Sequence, residues 1–305
     1  MFRLAFLESE GFTNFFLALS ALGAGKGAWA IVTGSTDGIG KGFAEELARN
    51  KVNLVLISRS QDKLDAVAKE IKNESKVQVK TIRVDFANAT KEDYERVKKE
   101  IQPLNVTMLF NNAGVSHEYP KEFEIEDDER NRQILEVNVN ALTKMSRLVA
   151  EKFKAQKNGL IVNTGSFSAL VPSPFLAFYS GSKSFVQAYS QAIGAELEPF
   201  NVSVIYLNTY FVCSKLSKVR KSNFFTPTPE QYAKQVLYRL GSHCGSLQPF
   251  VSVPHVGHAI ANFAIENILN RRFWISYSYR THTDIKRRAL AKQKRLADEA
   301  SKKSK

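Results

Sequence analysis

Tyr179 and Lys183 stand four residues apart in FYSGSKSF, with Ser180, Gly181 and Ser182 between them. On a helix that spacing puts a phenol and an ammonium group on one face, with small side chains leaving room beside them. Taken alone, the pair is better met by a solvated lysine next to a half-buried aromatic, and the rest of the chain has to shift that balance. A second cluster suits phosphate. In TGSTDGIGKG, Gly34, Gly38 and Gly40 permit a tight turn and close backbone approach to a pyrophosphate, with Ser35, Thr36 and Ile39 as the other contacts of the turn. A helix opening here offers free N–H donors and partial positive charge to the phosphates. Arg59, beside Ser58 in ISRS, matches an adenosine 2′-phosphate, where an acidic residue would instead hold free ribose hydroxyls. NADPH is therefore the expected cofactor. Asp85 in VDF is placed to meet the adenine amino group. Asn112 in FNNAG, with Ala113 and Gly114 after it, leaves space for the ribose and nicotinamide. No metal site is assigned.

These groups act together only if the chain carries them to one place. From Ala28 onward, short apolar runs alternate with amphipathic stretches: AWAIVTG, VNLVLIS, VQVKTIRVDF, VTMLFNNAG, GLIVNTG and VSVIYLN read as strands. Helices are expected between them, including a long one over about 127–156 and another over about 176–198. Continuous Val/Ile/Leu runs separated by helices indicate parallel strands buried on both faces. The fold class is α/β, a doubly wound parallel sheet in a single domain with a basic C-terminal extension. Such sheets bind ligands beyond the carboxyl ends of their strands, where the motifs above fall.

The chain has 305 residues, 44% hydrophobic and 24% charged, which excludes a disordered protein. Two cysteines, Cys213 and Cys244, build no disulfide framework and point to a reducing environment. The formal charge is +13, and residues 286–305 hold nine basic side chains against Asp298 and Glu299. This tail reads as a charged helix or an arm. It lacks interleaved aromatics to stack on bases, so nucleic acid is not the expected partner. An anionic membrane surface suits it better, and a merely solubilising role stays open.

In that order, TGSTDGIG, NNAG and YSGSK resemble the short-chain dehydrogenase/reductase family, with its Rossmann-type sheet. TGSTDGIGK, LISRSQDKL, NNAGVSHEYP and FVCSKLSKVRK are most similar to the very-long-chain 3-oxoacyl-CoA reductases, relatives of 17β-hydroxysteroid dehydrogenases. The resemblance implies that Tyr179 is the catalytic acid, that Lys183 and the cofactor's positive ring together lower its pKa, and that Lys183 binds the nicotinamide ribose. Ser166, 13 residues before Tyr179, would polarise the substrate carbonyl, with Ser168 as the competing candidate. Asn138 would hold a water relay to the lysine, with Asn140 as its rival. Val212 and Ser214 fit positions that grip the nicotinamide carboxamide. Asn208 and Thr209 stand where the family commonly has Pro-Gly. The implied substrate is a long-chain 3-oxoacyl-CoA, reduced in fatty acid elongation beside other elongation enzymes. A 17-ketosteroid or other bulky-ketone reductase, or a non-catalytic lipid-binding scaffold, stays open as an alternative.

Placement follows from the flanking segments. Residues 1–27 read as an apolar leader too short for a convincing membrane span. Residues 28–250 form the NADP-binding domain. Residues 251–282 are an apolar, membrane-proximal segment interrupted by His255, His258, Asn262, Glu266 and Asn267, able to lie in a membrane interface or to cap the fold. Residues 283–305 are the basic tail, whose final KKSK matches a dilysine retrieval signal. The expected location is the endoplasmic reticulum membrane, with the catalytic domain on the cytosolic side.

Overall fold

The computed structural model describes residues 18–240 and 244–303. Most of the leader's apolar run and the last two residues of KKSK lie outside the described residues. The strands β1 (Trp29–Thr33), β2 (Asn53–Ser58), β3 (Val79–Arg83), β4 (Val106–Asn111), β5 (Gly159–Thr164), β6 (Val202–Leu207) and β7 (Val251–Ser252) form one parallel sheet. Its order is β3-β2-β1-β4-β5-β6-β7, so the chain changes direction across the sheet between β1 and β4. The interposed helices are α1 (Gly38–Arg49), α2 (Gln61–Glu74), α3 (Lys91–Ile101), α4 (Asp128–Leu135), α5 (Ala141–Gln156), α6 (Ala177–Leu197) and α7 (Pro229–Tyr238).

Strand residues alternate between two cores, as the two-residue period of a strand requires. Ala30, Val32, Leu54 and Leu56 pack with Phe43 and Leu47 of α1, Leu64 of α2 and Val236 of α7. Trp29, Ile31, Val55 and Ile57 pack on the other face with Val97 of α3 and Met145, Val149 and Phe153 of α5. Each such aliphatic side chain contributes about 1.5–3 kcal/mol on full burial. Helices therefore cover both faces, and the strand ends are left open to ligands. That is the Rossmann-type arrangement.

Two local features differ from the expected pattern. The long helix over 127–156 is interrupted by a π turn at Glu136–Asn140, which separates α4 from α5. One inserted residue there turns Val137 and Asn138 inward together. A seventh strand pairs Tyr206 with Val251 and Leu207 with Ser252. With only two residues it leaves no periodicity to read, and it joins the sheet just past residue 250.

Two more helices follow, α8 (Val256–Asn267) and α9 (Arg271–Lys303). Of the polar residues that interrupt the apolar segment, His255, His258 and Asn262 face inward, the last two each 1% exposed, while Glu266 is half-buried and Asn267 exposed. Asn208 Nδ2 donates to Asn262 Oδ1 at 2.9 Å, and His258 Nε2 lies 3.1 Å from the Phe211 carbonyl. So α8 caps the carboxyl end of β6. The basic tail is helical, and α9 runs unbroken through the boundary expected at 283. Its Ala, Leu, Lys and Arg content favours helix, and Asp284 pairs with both Arg287 and Arg288 one turn on. Among the described residues, no helix is long and apolar enough to cross a membrane.

Candidate active site

The loops after β1 to β6 surround a cleft of about 610 Å³. At one end lies the turn between β1 and α1. Gly34 and Gly38 have φ of +65° and +53°, conformations open to glycine. A Cβ on Gly40 would stand 2.3 Å from the Gly34 carbonyl oxygen and 2.5 Å from Asn112 Nδ2, so this position admits no side chain. Ser35 Oγ is buried without a hydrogen-bond partner. A backbone cradle with an unsatisfied donor at the start of a helix fits a dinucleotide's pyrophosphate. Thr36 and Ile39 line the cleft, and Thr36 Oγ1 lies 3.1 Å from Ser58 Oγ.

Arg59 is exposed at the cleft margin after β2. Lys63, on α2, lines the same margin and was not foreseen as a cofactor contact. Together they form a cationic lip suited to a 2′-phosphate. Asp85 also lines the cleft, but its carboxylate is engaged by Ala87 N–H and Asn88 Nδ2. Asn112 ties β1 to β4: its Nδ2 donates to the Thr33 and Gly34 carbonyls, and its N–H donates to Thr33 Oγ1. Val212 and Ser214 face the cleft after β6, where Ser214 Oγ lies 3.2 Å from Ser217 Oγ.

The other end holds the phenol. The backbone brings Ser166, from the loop after β5, beside Tyr179 in the first turn of α6, close enough for the serine hydroxyl to act on the phenol. Ser166 is itself clamped: its N–H donates to Tyr206 Oη, and Tyr206 O–H donates to the Ser166 carbonyl, each at 3.0 Å. Gly165 is what admits that ring, since a Cβ there would sit 2.0 Å from Tyr206 Cζ. Ser168 also lines the cleft, and its Oγ accepts from Ser166 Oγ at 3.1 Å and from Ser173 Oγ at 3.3 Å.

Lys183 lies one turn after Tyr179, its Nζ 5.8 Å from the phenol ring centroid and 2.8 Å from the Thr164 carbonyl it donates to. Burial lowers its pKa to about 8. Burial pushes the Tyr179 hydroxyl the other way, upward, and the Ser166 hydrogen bond offsets only part of that. The expected lowering of Tyr179 by Lys183 is therefore not what the side chains produce by themselves, because the ammonium is aimed at a backbone carbonyl. Tyr179 is held as a protonated phenol.

Asn138, in the π turn, accepts from Val115 N–H at 2.8 Å and donates to the Val115 carbonyl and Ser182 Oγ. A Cβ on Gly114 would lie 3.5 Å from Asn138 Oδ1 and 3.9 Å from Lys183 Nζ, which puts asparagine and lysine at one small space. Asn140 turns away to Glu136.

Sequence reasoning missed a buried acid–imidazole pair beside the phenol. His117 Nδ1 lies 2.5 Å from Glu126 Oε2, and Tyr179 N–H donates to His117 Nε2 at 3.4 Å. Because Nε2 accepts, the proton sits on Nδ1 and is given to Glu126. Burial alone would raise Glu126, but bonds from His117 and Lys121 hold it below the usual carboxylate range. His117 stands in VSHEYP, yet nothing in its local sequence reveals a partner nine residues on. Tyr206 was equally hidden, within an ordinary strand run.

The short chain dehydrogenase family model matches residues 28–223. The chain is 42% identical to the very-long-chain 3-oxoacyl-CoA reductase of Coprinopsis cinerea, over 92% of this chain and 84% of that one. It is 43% identical to the protein of the same name from Mycosarcoma maydis, over 88% and 77% of the two chains. A solved short-chain dehydrogenase from Sphingobium yanoikuyae, in complex with NADPH, shares the fold with a TM-score of 0.67 at 24% identity, over 78% and 92%. With its glycine turn, serine, tyrosine and lysine on one such cleft, the chain belongs to the short-chain dehydrogenase family.

Proposed function

We propose that this protein reduces very-long-chain 3-oxoacyl-CoA to 3-hydroxyacyl-CoA with NADPH, in fatty acid elongation. The observation that carries the reading is the contact of Ser166 with Tyr179, one turn from Lys183, in a cleft whose far margin bears Arg59 and Lys63. The names of the relatives supply the acyl-CoA substrate. A bound reduced nicotinamide supplies the hydride. The chain's own groups handle the oxygen. Ser166 O–H donates to the ketone oxygen and holds it as negative charge develops, the kind of placed dipole that usually contributes most to catalysis. Tyr179, kept protonated, gives its proton to that oxygen. Lys183 and Asn138 border the small space through which the phenol is reprotonated. A scaffold without catalysis needs none of these contacts.

We read the surface of α8 and the start of α9 as the side that meets the cytosolic face of the endoplasmic reticulum membrane. Ile260, Phe263, Ile268, Phe273 and Tyr277 are exposed there beside Arg271 and Arg272. Apolar side chains flanked by cations suit an interfacial contact, and elongation enzymes in the same membrane are the expected neighbours. The test of the activity is isotopic. The full chain is incubated with 4-deuterated NADPH of either face and 3-oxostearoyl-CoA, with estrone in parallel. Deuterium at C3 of the hydroxyacyl product is expected, and its absence from both stereoisomers' reactions would overturn the reading.

A further inference from the structure

The family match ends at residue 223, yet the cleft does not. His282, Ile285 and Ala289 of α9 line the same cavity as Ser166 and Tyr179. These positions recur every three or four residues, so they form one stripe on the helix. Burial follows that stripe: Ser278 and His282 are buried, Ile285, Lys286 and Ala289 are half-buried, and positions 290–299 are almost all exposed. Through position 299, α9 is docked on the body only along its first half.

The docking has its own contacts. His282 Nδ1 lies 3.3 Å from Ser278 Oγ one turn back, with the Pro174 carbonyl beside its ring, and Lys286 pairs with Glu122. Tyr279 packs against Phe175 with ring centroids 5.1 Å apart, and Lys286 lies over the same Phe175 ring. Phe175 has φ of +65°, a left-handed conformation that a bulky residue adopts only when its surroundings impose it. Its carbonyl accepts from Lys121 N–H at 3.1 Å. Thus the loop before the Tyr179 helix, the 118–122 loop and α9 are held together at the mouth, just beyond the phenol. The wall offered inward is aliphatic at 285 and narrow at 289.

We propose that the first half of α9 is the outer wall of the substrate half of the cleft, and that Ile285 and Ala289 determine which acyl chains pass beneath it. This rests on the 3-oxoacyl-CoA reading above and adds where the chain of the thioester runs. A linear acyl chain suits that wall, because an aliphatic helix face and the 118–122 loop, joined by the Lys286–Glu122 pair, line the same cleft as Tyr179.

Two measurements on the full chain test it. In the first, kcat/KM is compared for acetoacetyl-CoA and 3-oxostearoyl-CoA in wild type, Ala289→Phe and Ile285→Ala. Ala289→Phe is expected to keep the short substrate within about 2-fold and to lower the long one at least about 10-fold, mostly through KM, the scale on which pocket bulk discriminates. Ile285→Ala is expected to leave the short substrate unchanged and shift the long-chain KM. Equal effects on both substrates, or none on either, in both variants overturn the proposal. The second measurement needs no turnover. A long-chain acyl-CoA carrying a mid-chain diazirine is photolysed on the protein, and the labelled peptide is mapped. Label within 278–289 is expected, while label confined to other segments overturns the assignment. A chain labelled there that reduces no 3-oxoacyl-CoA refutes the proposed reaction but not the wall.

Discussion

Lys183 is 6% exposed, and burial alone accounts for its lowered pKa of about 8. The ordinary value is 10.5, so the folded state carries the full cost of the ammonium below about pH 8 and sheds it between there and 10.5. Lys183→Met should therefore raise stability by about 1–3 kcal/mol at neutral pH, after allowing for the lost bond to Thr164, with the gain vanishing near pH 10.5. Denaturant unfolding of both proteins across that range, together with loss of ketone reduction, is the measurement. A variant less stable at every pH would show that the ammonium is not strained. Arg59 works at the opposite end and leaves the fold alone, because its side chain is exposed. Arg59→Ala should raise KM for NADPH by roughly 10- to 100-fold, the worth of charge-assisted bonds to a phosphate, while NADH use changes little. Steady-state kinetics with each cofactor decide it, and equal losses would place the 2′-phosphate elsewhere.

At the scale of elements, α6 carries both the phenol and the lysine, so its start must be fixed. His117 does this by accepting the Tyr179 N–H with its tautomer set by Glu126. His117→Ala should lower kcat about 10-fold and leave KM for NADPH unchanged, since displacement of a reacting group is costly even without lost contacts. Loss of NADPH binding in that variant would instead assign His117 to the general fold. The elements themselves were largely legible. Six strands and their helices showed in the Val/Ile/Leu runs, and the glycine turn announced its ligand because its φ values and close contacts leave no room for side chains. The π turn was not legible, since one extra residue in a helix leaves the apolar pattern almost intact. Neither was the clamp of Tyr206 on Ser166 across 40 residues, a meeting made by the pairing of β5 with β6 rather than by any local signal.

For the whole molecule, the C-terminal third has its polarity arranged in an unusual sense. A surface helix ordinarily buries its apolar stripe. In α8 the buried positions are Gly257, packed against the Phe224–Phe225 backbone, and His258 and Asn262, tied in beyond the end of β6, while Ile260 is 51% exposed. Continuing along the chain, Ile268, Phe273 and Tyr277 are exposed as well, next to Arg271 and Arg272. This inversion follows from the task of the inward face, which meets Asn208 Nδ2 and the Phe211 carbonyl, and it leaves aliphatic and aromatic groups turned outward, where a membrane surface is the partner proposed above. If that partner is a bilayer, full burial of each large side chain is worth about 1.5–3 kcal/mol and each nearby cation about 1 kcal/mol on anionic lipid. The double variant Ile260→Glu with Phe273→Glu should then weaken binding to phosphatidylserine-containing vesicles at least about 100-fold, without changing NADPH affinity. Vesicle sedimentation in low and high salt measures both contributions. Binding that survives the double substitution and disappears only with salt would move the contact to the exposed basic half of α9, and no binding by the wild type would leave the apolar surface to a protein partner.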